Sequence, residues 1–270
     1  MDKQIFLMSG LPRSGTTLLS TLLNQRPDMS AGPQSPLIHA MGEVYNLYNK
    51  LENLDVKGDA EISNMIDALP QAYYKDYKEP YIVNKHFRWV DPIPFMLLEH
   101  HWKTPIKIIC PVRDILEVLA SWNKLANKDV NNSRDVEVNR FFPGKAPLAD
   151  RRAMYWMEHE LSDIRAVWQG MQRALYPEFA GMFHFVEYND LTSNTQETLN
   201  GVYDFLGIER YEHDLSHVEN KYHYNDAFGL KNHHVVRPTI EKTSDNPQEV
   251  FSPEIIQKYS GLEFWREEKK

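Results

Sequence analysis

The segment of residues 5–23 constrains the fold more than any other part of this sequence. Residues 5–8 are apolar and predict a buried strand, and a turn that contains Gly10, Pro12 and Gly15 follows them. Leucines then recur at helical spacing until a proline ends the pattern. A strand, a glycine-containing turn and a helix direct backbone N–H groups and the positive end of a helix dipole to one point. The segment therefore predicts an anion site, most often a phosphate site.

Side chains in this turn also favour an anion. Arg13 supplies a fixed positive charge, and three hydroxyl groups add hydrogen-bond donors: Ser14, Thr16 and Thr17. The turn differs from the GxxxxGK[ST] loop of nucleoside triphosphatases, because Thr16 stands in place of the lysine and the positive charge lies upstream. On the residues alone, an ordinary strand–turn–helix unit without a ligand is the alternative.

A second strand-to-helix passage, IICPVRDILEVLASW, repeats this layout. Arg113 follows the predicted strand, and Ser121 lies two helical turns further on, hence on the same face. A guanidinium and a hydroxyl so placed can bind a second phosphate. The alternative is that Arg113 pairs with Asp114 or a neighbouring helix and that Ser121 is a small packing residue.

Bulk properties exclude several classes of protein. The chain has 270 residues and a net charge of −8, which argues against nucleic-acid binding. Its one cysteine, Cys110, lies in an apolar run, which predicts an inert buried thiol and no internal disulfide. The sequence has neither a secretion signal nor an apolar run of membrane-spanning length, so we expect a cytoplasmic protein with no membrane partner.

Strands and helices are predicted to alternate along a single domain that covers residues 1–270. We expect an α/β, three-layer fold like that of P-loop NTPases, with a central parallel sheet flanked by helices. The predicted strands are 5–8, 81–84, 106–110 and 183–188. The predicted helices include 37–54, 62–69 (ended by Pro70), 92–102, one capped by Asp114, 149–175, 196–206 (ended by Gly207) and 253–259. Residues 28–36 are predicted as a loop and 127–147 as an irregular, candidate lid segment.

The motif LPRSGTTLL resembles the phosphosulfate-binding loop of the sulfotransferase family, especially its tyrosylprotein and bacterial members. The resemblance implies the donor 3′-phosphoadenosine 5′-phosphosulfate, with adenosine 3′,5′-bisphosphate as product, bound by Arg13, Ser14, Gly15, Thr16 and Thr17. It also implies that Arg113 and Ser121 bind the 3′-phosphate. The stretch FHFVEYNDLTSNTQETLNGVYDFLGI resembles the family as well, and Tyr188 there matches the tyrosine that contacts adenine. On residue grounds alone, Tyr188 can equally be a core aromatic.

Sulfuryl transfer depends on positioning and charge stabilisation, much as phosphoryl transfer does. Arg13 is expected on one side of the moving group, and Lys85 matches the family's strand-end lysine on the other. The family's tail also implies nucleotide contacts from Arg237 and His234. Histidines in the tail fit no standard zinc spacing, and we expect no metal.

The general base is the least defined part of the site. Related loops carry a glutamate in the neighbourhood that here reads Gly-Pro-Gln-Ser, residues 32–35. Cytosolic relatives place a histidine two residues after their lysine, whereas His86 follows Lys85 directly. We rank His86 first, Glu43 second and His39 third as the base.

The leading hypothesis is a sulfotransferase that acts on a hydroxyl or amine. A P-loop small-molecule kinase or NTPase, and a non-catalytic nucleotide-binding protein of the same fold, are the alternatives. The sequence leaves open whether the acceptor is a small molecule, a carbohydrate or a peptide, and it leaves the oligomeric state open too.

Overall fold

A computed structural model of the chain describes residues 3–47, 50, 59–128, 134–179, 181–222 and 236–266. Within this part the strands form one parallel sheet in the order β2-β3-β1-β4-β5. The strands are β1 (Gln4–Met8), β2 (Met29–Gln34), β3 (Tyr81–Lys85), β4 (Ile108–Val112) and β5 (Phe183–Glu187). The predicted strand at 106–110 is therefore shifted by two residues, and β1 is the central strand.

Helices cover both faces of the sheet, because the side chains of β1 alternate between two apolar clusters. Ile5 and Leu7 pack into one cluster, whereas Phe6 and Met8 pack into the other. This arrangement confirms the predicted α/β fold with a central parallel sheet. The helices are α1 (Thr16–Leu23), α2 (Leu37–Asn46), α3 (Asp59–Tyr73), α4 (Pro92–His101), α5 (Ile115–Ala126), α6 (Arg134–Phe141), α7 (Leu148–Glu158), α8 (Asp163–Met171), α9 (Tyr188–Ser193), α10 (Thr195–Leu206), α11 (Pro247–Val250) and α12 (Pro253–Tyr259).

Two predicted helix caps are confirmed. The carboxylate of Asp114 accepts a hydrogen bond from the backbone N–H of Glu117 at the start of α5. Gly207 ends α10 in the left-handed conformation, with a φ of 73°. Helix α2 ends earlier than predicted, at Asn46; residues 48–49 and 51–54 of that prediction lie outside the described residues.

The predicted loop at 28–36 was wrong, since most of it forms strand β2. This strand pairs with β3 at the edge of the sheet. An edge strand tolerates a proline such as Pro33, because no further strand needs a hydrogen bond from its outer side. The side-chain amide of Asn24 fixes β2 by donating to the carbonyl oxygen of Ala31 (2.6 Å) and accepting from its N–H (2.7 Å). Local composition carries no signal for such long-range pairing.

The predicted helix end at Pro70 was also wrong, because α3 continues to Tyr73. Contacts just beyond the proline hold this last turn in place. Gln71 exchanges hydrogen bonds with the backbone of Lys3, and the Tyr74 hydroxyl accepts from the Asn84 side chain at 2.8 Å. These tertiary contacts offset the proline's cost of about 3 kcal/mol.

Two more predictions were wrong in and after the candidate lid segment. Helix α6 forms inside residues 127–147, because Asp135 receives two hydrogen bonds from the buried guanidinium of Arg152 on α7. The long helix predicted at 149–175 is instead two helices, α7 and α8, separated by residues 159–162. The Ser162 hydroxyl donates to the carbonyl oxygen of Trp156 in this break. The helical periodicity of the sequence runs through the break without a glycine or proline to mark it.

Candidate active site

A cavity of about 790 Å³ opens at the carboxyl ends of the central strands, where parallel α/β sheets usually bind their ligands. The sequence-predicted residues that line it are Arg13, Gly15, Thr16, Thr17, Lys85, His86, Arg113, Ser121, Tyr188 and Arg237. His39, the third-ranked base, lines it too, whereas Ser14 and Glu43 do not. The fold therefore brings together residues that are as much as 224 positions apart in the sequence, from Arg13 to Arg237.

The loop between β1 and α1 has the backbone of an anion site. Arg13 and Gly15 have φ angles of 64° and 82°, so the chain turns twice through the left-handed region. Gly10 is required for a different reason: a Cβ there would lie 2.3 Å from the carbonyl oxygen of Pro111 on β4. The Ser14 hydroxyl donates to that same oxygen at 2.8 Å and contacts the carbonyl oxygen of Leu11. Ser14 thus fixes the loop, and its predicted contact to the nucleotide through the hydroxyl would require breaking these bonds.

The two predicted anion sites are neighbours in one pocket. Nη1 of Arg113 donates to the backbone carbonyl of Arg13 at 3.3 Å, and Nε of Arg13 donates to the Ser121 hydroxyl at 3.3 Å. Burial, and then the charge of Arg113, lower the pKa of Arg13. Two cations held this close in a buried place repel each other. The pocket is therefore prepared for a ligand with more than one negative charge.

Arg113 is fixed by its surroundings and is only 3% exposed. Its Nε donates to Glu117 at 2.7 Å, its Nη2 donates to the carbonyl of Thr243 at 2.5 Å, and its guanidinium lies 4.5 Å from the ring centre of Tyr188. A guanidinium has five N–H donors. Within the described part of the chain, three of them donate to Glu117, to the carbonyl of Thr243 and to the carbonyl of Arg13. One N–H on each Nη therefore remains for a ligand.

Sequence reasoning missed the segment around Thr243. The Tyr188 hydroxyl lies 3.0 Å from the Thr243 hydroxyl and accepts from its backbone N–H at 3.1 Å. Arg237, the predicted tail cation, forms an exposed ion pair with Glu241 at 2.7 Å while also lining the cavity. No sequence signal points to Thr243, since its role comes from a backbone carbonyl. His234 lies outside the described residues.

Lys85 ends β3 beside the loop. It pairs in register with Met8, the last residue of β1, and its side chain is 9% exposed. Burial lowers its pKa to about 8. An ammonium in such a place is poorly solvated, so an incoming anion gains a strong interaction with it.

His86 lies next to Lys85 with both ring nitrogens engaged. Its Nδ1 accepts from the backbone N–H of Arg88 at 3.1 Å, and its Nε2 lies 3.0 Å from the side-chain amide of Gln34. Because Nδ1 is an acceptor, neutral His86 carries its proton on Nε2, and the Gln34 amide must then turn its oxygen, not its nitrogen, toward this proton. Burial lowers the pKa of His86 to about 3. The ring is thus a neutral group at ordinary pH.

The other proposed bases differ in their access to the cavity. His39 on α2 is exposed, and its ring meets that of His86 edge to face with centroids 4.9 Å apart. Glu43 lies one helical turn further along α2 and is exposed outside the cavity. Gln34 occupies the cavity wall in the neighbourhood where related loops carry a glutamate.

The far half of the cavity is built from residues that sequence reasoning did not single out. Its carboxylates are Glu137 on α6, which accepts from the Tyr155 hydroxyl, and Asp163 at the start of α8. Its wall is mostly aromatic and aliphatic: Phe87, Trp122, Tyr155, Trp156, Leu161 and Ile164. The adjacent pair Tyr155 and Trp156 on α7 is a sequence feature that could have pointed to this wall, but helical packing explains it equally well.

Metal-binding clusters and membrane-spanning helices are both absent from the described residues. No group of three or more histidine, cysteine or acidic side chains in that part of the chain is arranged to hold a metal ion. Among the same residues, no helix is long and apolar enough to cross a bilayer. Three histidines of the tail, His223, His233 and His234, lie outside the described residues.

Comparison with known proteins gives the family. The sequence model of the family described as "Sulfotransferase domain" matches residues 2–248 of this chain. The structure is similar to the sulfotransferase domain from the curacin biosynthetic pathway (18% identity, TM-score 0.55, covering 96% of this chain and 97% of that one). It is also similar to the sulfotransferase domain from the Synechococcus PCC 7002 olefin synthase (17% identity, TM-score 0.50, covering 95% and 83%). No curated protein matches the sequence. Because the family model spans nearly the whole chain, this protein belongs to the sulfotransferase domain family.

Proposed function

We propose that the protein transfers a sulfuryl group from 3′-phosphoadenosine 5′-phosphosulfate to a hydroxyl or amine. The observation that carries this proposal is the group of three buried or half-buried cations around one cavity. Arg113 contacts the backbone of Arg13, and Lys85 ends the strand beside the same loop. A nucleotide with phosphate at both the 3′ and 5′ positions of one ribose matches the paired arginines.

The donor's parts are assigned to the residues that surround each end. The 3′-phosphate lies against Arg113 and Ser121, and the adenine lies near Tyr188. The 5′-phosphosulfate lies in the loop, where Arg13, Thr16 and Thr17 supply charge and hydroxyls. The strained loop backbone needs no rearrangement to receive an anion, since its left-handed residues are already in place.

The chemical step needs charge compensation more than covalent help. When bound, the donor supplies an electrophilic sulfur and a phosphate leaving group. Lys85 would offset the charge that develops on the leaving oxygen, and its burial makes that interaction stronger than it would be in water. In-line transfer then places the acceptor on the opposite side of the sulfur, toward the aromatic half of the cavity.

The acceptor class follows only coarsely from the cavity. Its aromatic and aliphatic wall suits an apolar body, and a hydroxyl or amine on that body would reach the reaction centre. The wall is compatible with a small molecule and equally with an apolar group carried by a carbohydrate or a peptide.

A thermal-shift comparison tests the proposal. Adenosine 3′,5′-bisphosphate should raise the melting temperature at micromolar concentration, and ATP with Mg²⁺ should raise it much less, because a ligand selective for the native state stabilises it. Release of adenosine 3′,5′-bisphosphate from the labelled donor then measures turnover. A shift with ATP–Mg²⁺ alone would favour a kinase, and nucleotide binding with no turnover on a broad acceptor panel would favour a binding protein.

A further inference from the structure

We propose that His39 is the residue that removes the proton from the acceptor, and that His86 is a positioning residue. This inference rests on the proposed sulfuryl transfer. It concerns the proton acceptor, because residues 32–35, at the end of β2, contain no carboxylate. Both histidines line the cavity, and their rings lie in contact. They differ in whether a ring nitrogen is available to an acceptor.

His86 is unsuited to accept a proton. A base needs a nitrogen lone pair directed at the substrate, and the lone pair on Nδ1 already accepts from the backbone N–H of Arg88. The other nitrogen, Nε2, carries the proton and faces Gln34. Burial also disfavours the imidazolium that a base must become, which agrees with the low pKa of His86.

His39 has the complementary properties. Its side chain is exposed, so water can solvate its imidazolium, and it reaches the cavity from the first turn of α2. The His86 ring packs against it edge to face and restricts its orientation. The charged side chains Lys85 and Arg88 line the same cavity as His39, and Glu43 lies one turn along its own helix. A neutral imidazole is well suited to proton abstraction near neutral pH.

The step balances in atoms and electrons. The acceptor hydroxyl gives its proton to a ring nitrogen of His39 while its oxygen forms a bond to sulfur. The bond between sulfur and the 5′-phosphate oxygen breaks, and its electron pair leaves with adenosine 3′,5′-bisphosphate. The imidazolium of His39 afterwards loses its proton to water.

The test compares the variant His39→Ala with the wild-type protein on two phenols. With 2-naphthol, whose hydroxyl is protonated near neutral pH, turnover should fall about 100-fold. With 4-nitrophenol, of which a large fraction is already ionised at that pH, the loss should be much smaller, because the phenolate needs no base. Hydrolysis of the donor, in which water accepts the sulfuryl group, is measured in parallel, because water also has to lose a proton. Added imidazole should restore part of the activity of His39→Ala.

The control is His100→Ala, which removes an exposed histidine at the end of α4, outside the cavity. It should change neither turnover nor the pH profile. Equal losses with both phenols in His39→Ala would overturn the inference, as would a loss with 2-naphthol below about threefold or a failure of added imidazole to restore any activity. The melting-temperature shift with adenosine 3′,5′-bisphosphate is measured on each variant. Failure of the wild-type protein to bind that nucleotide or to turn over any acceptor would instead contradict the proposed sulfuryl transfer.

Discussion

The two halves of the cavity are built in different ways. In the donor half, Arg13, Ser121 and Arg113 form a continuous set of hydrogen bonds, and Gly10 and Pro111 lie too close together for any added side chain. In the half proposed for the acceptor, the walls come from Phe87 after β3, from α5 to α8 and from the break between α7 and α8, where Leu161 is 68% exposed. The half proposed to bind the donor is thus shaped for one charged ligand, whereas the half proposed for the acceptor presents apolar surface that a ligand can cover.

The largest expected effect comes from Lys85, which lies between the two halves. Lys85→Ala should lower turnover about 100-fold or more, because it removes the cation that we propose to stabilise the leaving group. The Kd of adenosine 3′,5′-bisphosphate should change much less than turnover, because the two arginines still bind its phosphates. Lys103→Ala is the control, since Lys103 is an exposed lysine paired with Asp67. Turnover that survives in Lys85→Ala would show that the two halves do not meet at this residue.

Arg113→Ala should produce the next largest effect, confined to the donor half. Hydrogen bonds to a charged group are worth about 1.5–3 kcal/mol, so the affinity for adenosine 3′,5′-bisphosphate should fall about 10- to 100-fold. The affinity for adenosine 5′-phosphate should fall much less. Isothermal titration calorimetry measures both, and Arg113→Lys separates the loss of charge from the loss of paired donors. Equal losses for the two nucleotides would contradict the assignment of Arg113 to the 3′-phosphate.

The pH dependence sharpens the comparison further. Burial lowers the pKa of Lys85 to about 8, so the catalytically useful ammonium is lost as the pH rises through that value. From pH 7 to pH 9, kcat/KM for the donor should fall about tenfold. The stability effect has the opposite sign: the folded protein binds fewer protons than the unfolded chain between about pH 8 and the ordinary pKa of lysine, so stability rises with pH there. An alkaline limb that persists in Lys85→Arg would assign it to another group.

The smallest effect is expected in the acceptor half. Leu161→Ala removes exposed apolar surface that an acceptor would cover, and it should raise the acceptor KM about three- to tenfold. The donor KM should not change. Steady-state kinetics with 2-naphthol measures both constants. A larger change for the donor than for the acceptor would mean that the two halves have been assigned the wrong way round.

The same contrast explains how far sequence reasoning reached. The proposed donor half could be predicted because Arg13, Lys85, Arg113 and Tyr188 each lie at or soon after the carboxyl end of a strand, and these ends of parallel strands meet at one edge of the sheet. The acceptor half could not, because it depends on where helices stop. The break between α7 and α8, and the ion pair of Arg152 with Asp135 that holds α6, arise from tertiary contacts. Likewise, the sequence identified His86 and His39 as candidate bases but could not show that both ring nitrogens of His86 already have hydrogen-bond partners.

The most direct test of the account is a crystal structure with adenosine 3′,5′-bisphosphate bound. We predict the 3′-phosphate within hydrogen-bond distance of Arg113 and Ser121, and the 5′-phosphate in the loop at Arg13 with Lys85 beside it. A nucleotide bound outside this cavity, or one whose 3′-phosphate points away from Arg113, would contradict the central claim that one doubly phosphorylated adenosine spans both arginines.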